Sequence, residues 1–255
     1  MYIRPEYHES GIYHAYNRGV ARLPIFLKDT DYFDFRQIIH YFLIGFPDPD
    51  IAKGSDPYVP YRSSFSQRWR TQNKPVSFAA DPGGNGMFRR ILEILAYCLM
   101  PNHIHFLLRI LEKPAIAKGS DPFVSRCISE FMKRVTITYA MKFNRDNNRV
   151  GPIFQGRFKV KEVDSDELVP HVARYIHINP TMAGLTDRPE DWKWSDINDY
   201  FNFNSNLPNP DCLSKPLTVL KYFDFNPKDY REFVEAQIDE EDILPINSLV
   251  IESEP

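Results

Sequence analysis

No stretch of the 255-residue chain holds 18 consecutive apolar residues, which excludes a membrane-spanning helix at sequence level. The opening residues, Met1-Tyr2-Ile3-Arg4-Pro5-Glu6, carry no apolar leader segment, so no secretory signal is expected. Cysteine is scarce. Cys98, Cys127 and Cys212 are far apart and outside any CxxC spacing. That rules out a disulfide framework and a zinc knuckle and points to a reducing, cytoplasmic setting. Large net charge is missing too: 31 Lys and Arg stand against 34 Asp and Glu, for a formal charge of −3. Apolar content of 43% and charged content of 25% are those of an ordinary globular protein. At roughly 150 residues per domain, the length suits one domain with appendages, or two small domains.

The small net charge hides a division. Residues 230–255 hold a single basic residue, Arg231, among eight acids. The window 126–161 holds nine basic residues and only Glu130 and Asp146 as acids. A basic centre beside an acidic tail suits a phosphate-backbone partner better than the overall charge suggests.

Along the chain, Gly11–Asn17 has the alternation of a strand, ending in a turn at Asn17-Arg18-Gly19. Asp29 or Thr30 is placed to cap a helix reaching Leu43. Residues 45–87, with scattered proline, glycine and serine and no sustained period, read as an irregular insertion. Arg90–Met100 is an apolar run suited to a central strand, broken by Pro101-Asn102 and followed by a second strand over His103–Ile110. A long amphipathic helix is expected from Phe123 or Ser125 to Phe143, and a strand over Gly156–Val163. A helix capped by Ser165 or Asp166, or starting near Val169 because of Pro170, should run through Tyr175 to Asn179 and stop at Pro180. A short helix is expected over Pro227–Ile238, and little order in the last ten residues. A nine-residue segment, Ile51–Val59, recurs as Ile116–Val124 with eight identities. Its Gly-Ser-Asp-Pro centre is loop chemistry, so both copies are expected as surface loops.

His103 and His105 sit one residue apart in an apolar strand, so the period of two puts both imidazoles on one face. Such a pair can hold a divalent ion. Tyr175 and Asn179 lie at i and i+4 and share a helix face. A tyrosine hydroxyl, with an ordinary pKa of about 10, needs a neighbouring base or cation to act as a nucleophile. His177 stands roughly 200° around the helix from Tyr175 and is given no catalytic role.

Several segments together carry a resemblance. Pro101-Asn102-His103-Ile104-His105-Phe106-Leu107-Leu108 resembles the HUH motif of single-tyrosine transposases. Arg174-Tyr175-Ile176-His177-Ile178-Asn179-Pro180, followed by Ala183-Gly184-Leu185, resembles their nucleophile helix. His14-Ala15-Tyr16-Asn17-Arg18-Gly19-Val20, Gly151–Phe158 and Trp194-Ser195 add to the match. In this order the segments resemble the REP-associated tyrosine transposases, over about residues 8–200 and interrupted by the insertion.

The resemblance implies a ferredoxin-like α+β fold: an antiparallel sheet with helices on one face, plus the insertion and a C-terminal extension. Residues 1–200 would form the catalytic domain and 201–255 the extension. Tyr175 would be the nucleophile, and His103, His105 and Asn179 would hold Mg²⁺ or Mn²⁺. Asn179 stands where relatives often place Gln, one methylene shorter. The implied partner is single-stranded or hairpin DNA, cut to leave a 5′-phosphotyrosine link and a free 3′-OH, by a monomer or homodimer with no membrane partner. Arg18, Lys133, Arg134, Gln155, Arg157 and Lys159 are the residues favoured for DNA contact, with Phe154 or Phe158 as stacking candidates and Phe158 the more suited to the core. The alternative is a catalytically silent hairpin-binding protein.

Overall fold

The computed structural model describes residues 5–44, 88, 91–112, 126–205, 209 and 212–236. The 45–87 insertion, both copies of the repeated segment, the start expected at Phe123 or Ser125, and the chain from 237 onward lie outside the described residues.

Four strands form one antiparallel sheet: β1 (Ile12–Arg18), β2 (Leu92–Met100), β3 (His103–Ile110) and β4 (Lys159–Val163). Their spatial order is β2-β3-β1-β4. Helix α1 (Asp29–Leu43) connects β1 to β2, and α2 (Cys127–Asp146) connects β3 to β4. This is the βαββαβ order of a ferredoxin-like sheet, as expected. The side chains of each strand alternate between two cores. Tyr13 and Ala15 of β1 and Ile104, Phe106 and Leu108 of β3 pack under α1 and α2. Burying such a side chain fully is worth about 1.5–3 kcal/mol. Ile12, Leu107 and Val163 face the other way.

That second face is covered by a further helix, α3 (Leu168–Met182). The connecting helices α1 and α2 share one face, and α3 adds a layer on the other. Pro170 falls in the first turn of α3, where backbone N–H groups have no helical partner, so it is tolerated. Pro180 does not stop the helix. It lies in the last turn, and closure comes at Gly184, whose φ of +67° lets Leu185 N–H donate to the Pro180 carbonyl.

Other boundaries shift for local reasons. Helix α1 starts at Asp29 itself, because the Asp31 carboxylate accepts from the N–H groups of Leu27 and Lys28. Strand β4 starts at Lys159, since Gly156 turns the chain at φ +70° and Gln155 N–H donates to the Arg18 carbonyl across the end of β1. Strand β2 is an outer strand of the ladder, not a central one. Its free edge is sealed by Leu99 N–H donating to the Trp194 carbonyl and Lys215 N–H donating to the Ile94 carbonyl. With its edge and both faces covered, it can be continuously apolar.

Three short helices, α4 (Ile197–Phe201), α5 (Leu217–Leu220) and α6 (Pro227–Glu235), follow. Val219 and Leu220 of α5 join the apolar layer against α3, and a buried polar chain ties in the start of α4 and α6. The Tyr230 hydroxyl donates to His177 Nδ1 at 2.7 Å, and His177 Nε2 donates to Asp196 Oδ1 at 3.0 Å. Asp196 Oδ1 also accepts from Tyr97 N–H of β2 at 2.8 Å. His177 therefore ties α3 to the sheet edge and to α6. Asp196→Ala should leave two buried donors unpaired and lower stability by at least about 2 kcal/mol, read as a shift in the urea unfolding midpoint.

Candidate active site

The register of β1 on β3 assembles the site. Tyr16 lies opposite His105 and Arg18 opposite His103. His103 and His105 share the α3-facing side of the sheet with His14 and Tyr16. Across from them, the Tyr175 ring stands edge-on to His105, with centroids 5.7 Å apart and planes at 89°. It is 6.3 Å from the His14 ring. One turn further along α3, Asn179 Oδ1 reaches His103 Nε2 at 3.1 Å, so the shorter side chain spans the gap. All four residues singled out as the catalytic and metal-ligating set, Tyr175, His103, His105 and Asn179, come together.

His105 is fully buried, and burial pushes its imidazole well below the ordinary range, helped by His103 and His14. Burial lowers His103 as well. The Asn179 contact opposes that shift and the Arg18 guanidinium adds to it. Both rings are therefore neutral at pH 7, the form that can ligate a metal.

The orientation of His103 follows from its neighbour. Asn102 Nδ2 donates to the Arg22 carbonyl at 3.1 Å, which fixes its amide oxygen toward His103 Nδ1, 2.6 Å away. An amide oxygen only accepts, so Nδ1 carries the proton and Nε2 is a bare lone pair. That lone pair faces Asn179 Oδ1. Two acceptors at this distance call for either an Asn179 amide turned nitrogen-first or a cation between them. Adjacent ligand atoms around an octahedral ion with bonds of about 2.1 Å lie about 3.0 Å apart, so the spacing suits a divalent ion. His105 Nε2 is buried without a hydrogen-bond partner, a second open donor atom. Among the described residues no group of three His, Cys, Asp or Glu could hold a metal, and the oxygen that stands beside the His103 imidazole is the Asn179 amide. This donor set of two neutral imidazoles and an amide accommodates a divalent cation.

The loop behind Asn102 is packed tightly. Gly19 N–H donates to the Asn102 carbonyl at 2.7 Å, and a Cβ at Gly19 would meet the Leu23 carbonyl at 2.1 Å. Only glycine allows the chain to pass there.

The residues favoured for DNA contact separate into two groups. Arg18 Nε donates to Gln155 Oε1 at 2.7 Å at the His103 end of the sheet. Lys159 of β4 is paired with Tyr16 of β1, and Arg157 is exposed just before it. Lys133 and Arg134 instead lie on α2, beyond the opposite face, both near Glu130. Phe154 and Phe158 are both buried in the core under α1 and α2, so neither is placed to stack on a base. All three cysteines are free thiols. No helix among the described residues is long and apolar enough to cross a membrane.

Two site residues went unassigned in the sequence. His14 was visible only as part of a segment, although its period-two spacing from Tyr16 put it on the same face. Asn102 read as a strand breaker, and its hold on His103 depends on the distant Arg22 carbonyl.

No family model matches the chain. It is similar to a Haemophilus influenzae protein named as a REP-associated tyrosine transposase, at 26% identity over 108 residues. That match takes in 40% of this chain and 57% of the relative, little more than half the relative's length. Among solved structures the chain is similar to a REP-associated tyrosine transposase bound to a REP hairpin. The TM-score is 0.47 and the identity 18%, over 85% of this chain and 93% of that one.

The depressed imidazoles carry a pH signature. The unfolded chain takes up protons at these histidines below about pH 6.5, while the native state resists. Their contribution to stability is present above that pH and is lost as pH falls below it. The urea midpoint of the native protein should therefore drop between about pH 7.5 and pH 5.5. His105→Asn should show a smaller drop. His8 is raised by the Glu9 carbonyl and Glu162, so it acts in the opposite sense; it is common to both proteins and cancels in the comparison.

Proposed function

We propose that this protein is a metal-dependent enzyme that nicks and rejoins single-stranded DNA beside a hairpin, through a covalent 5′-phosphotyrosine at Tyr175. The observation that carries the reading is the pairing of one helix face with one sheet face: Tyr175 and Asn179 on α3 against His105 and His103 on β3. The sequence likeness to a protein named as a REP-associated tyrosine transposase supports the same class of substrate.

In this reading His103, His105 and Asn179 hold Mg²⁺ or Mn²⁺. When bound, the ion would neutralise a phosphate oxygen and stabilise the charge that grows in the transition state. Tyr175 Oη attacks the scissile phosphorus. Its proton passes to solvent water, the bond from phosphorus to the 3′ oxygen breaks, and that oxygen leaves and takes a proton from water to become a free 3′-OH. The new phosphotyrosine keeps the energy of the phosphodiester, so a later 3′-OH can reverse the step and join strands without a nucleotide cofactor. Tyr175 is half-buried and flanked by the His14 and His105 rings, which limits its freedom. Arg18, Gln155, Arg157 and Lys159, gathered at one end of the sheet, would neutralise and orient the flanking phosphates. Lys133 and Arg134 would meet only DNA that passes to the far face. Tyr175 stands beside the histidines of its own chain, which supports a reaction completed within a monomer.

Covalent capture tests the reading. Labelled single-stranded hairpin oligonucleotides are incubated with the protein and Mn²⁺ or Mg²⁺, or with EDTA, and run on a denaturing gel. A metal-dependent protein–DNA adduct is expected, absent with Tyr175→Phe and with EDTA. Asn179→Ala should reduce adduct formation roughly tenfold or more, the scale of a lost ligand partner. Tight hairpin binding with no adduct would favour the catalytically silent alternative.

Removing one phosphate contact should also show in salt dependence. Arg157→Ala should lower the slope of log affinity against log salt by about 1, measured by hairpin binding in a salt series.

A further inference from the structure

We propose that His14 is a positioning residue for His105, holding its ring as the Nδ1–H tautomer so that Nε2 presents a bare lone pair to the site. The inference rests on the metal-binding reading for its purpose, but not for its evidence.

His14 and His105 are both fully buried. His14 Nε2 lies 2.9 Å from His105 Nδ1, and the two rings are nearly parallel, at 11°. Two nitrogens at that distance need one proton between them. Two imidazolium ions cannot share so dry a place. There are then two ways to fill the contact. If His14 donates, His105 carries its own proton on Nε2, where a buried N–H would have no acceptor, because that atom has no partner. If His105 donates from Nδ1, Nε2 is left as an acceptor lone pair. Orphaned buried N–H groups are rarer than under-used acceptors, which favours the second arrangement.

His103 provides the parallel. Its rear nitrogen, Nδ1, donates to Asn102 Oδ1, and the amide is fixed by the Arg22 carbonyl. Both histidines of the strand thus have a partner on Nδ1; His103 Nε2 faces Asn179 of α3, and His105 Nε2 is buried with no hydrogen-bond partner. Asn102 comes from the neighbouring position in the chain. His14 comes from the adjacent strand, in register because Tyr16 lies opposite His105 and His14 opposite Leu107. A ligating imidazole generally has such a rear partner, usually a carboxylate, a carbonyl or water. Here a neutral imidazole takes that place and adds no charge.

The test reads the tautomer directly. Histidine labelled with ¹⁵N is incorporated into the metal-free full-length chain, and long-range ¹H–¹⁵N spectra report which ring nitrogen carries the proton. In the native protein, His103 and His105 should both be Nδ1–H. His14→Phe keeps the ring stacking but removes the acceptor, and should shift His105 toward the Nε2–H form. His14→Gln places an amide oxygen near the lost nitrogen and should restore Nδ1–H. Titration with Mn²⁺ should show affinity falling roughly tenfold or more in His14→Phe and recovering in His14→Gln. His105 found as Nε2–H in the native protein overturns the proposal, as does a tautomer unchanged in a folded His14→Phe. If native His105 is Nδ1–H but Mn²⁺ does not bind, the metal reading fails while the His14 assignment stands.

Discussion

The antiparallel register of β1 on β3 is the constraint on which the site depends. It sets Arg18 opposite His103, Tyr16 opposite His105 and His14 opposite Leu107. Because side chains alternate, a slip of one residue in β1 would turn His14 and Tyr16 into the α1–α2 core and bring Tyr13 and Ala15 to the site. The register is pinned from both ends. Gly19 N–H donates to the Asn102 carbonyl at one, and Ile110 N–H donates to the Gly11 carbonyl at the other. The apolar set of Tyr13, Ala15, Ile104, Phe106 and Leu108 would lose its core if the pairing moved. The energy of the hydrophobic core thus fixes the geometry of the polar site.

The second constraint is the covering of the site by α3. This layer removes His105 from water and disfavours the charged form of both imidazoles, with no carboxylate among the described residues acting on either. The rotation of α3 about its own axis decides where Tyr175 and Asn179 point, and that rotation is held from behind. His177 lies between Tyr230 and Asp196, and the Arg174 guanidinium donates to the Ala236 carbonyl while resting 4.8 Å from the Phe233 ring. Asp196, Tyr230, Phe233 and Ala236 therefore brace the helix whose other face meets the histidines. Their role in the site is mechanical: they contact the back of α3, away from Tyr175.

Much of this was legible from local pattern. All four strands were placed by alternation or apolar runs, and the shared faces of His103 with His105 and of Tyr175 with Asn179 follow from periods of two and 3.6. What failed locally failed for identifiable reasons. Pro180 and Gly156 were judged by their own propensities, whereas helix closure depended on Gly184 and the start of β4 on a crossing at the end of β1. The apolar run of β2 suggested a central strand, because nothing in it shows that Trp194 and Lys215 will seal its edge. The basic residues of 126–161 looked like one surface. Folding sends Lys133 and Arg134 beyond one face of the sheet and leaves Lys159 on an edge strand beside the other. Phe154 and Phe158 followed the aromatic-with-basic pattern of a nucleic-acid groove but are consumed by the core.

The sequence by itself determined which side chains travel together: two histidines on one strand face, a tyrosine and an asparagine on one helix face, and the order of strands and helices that carry them. Those facts depend only on backbone periodicity, which is local. The tertiary structure alone decided that the two faces meet, that His14 and Asn102 stand behind the two histidines, and that Asp196 and Tyr230 grip the helix from its other side. Each of these depends on contacts between segments 19 to 99 residues apart, or on the burial that follows from them. No periodicity in a single stretch of chain encodes such contacts.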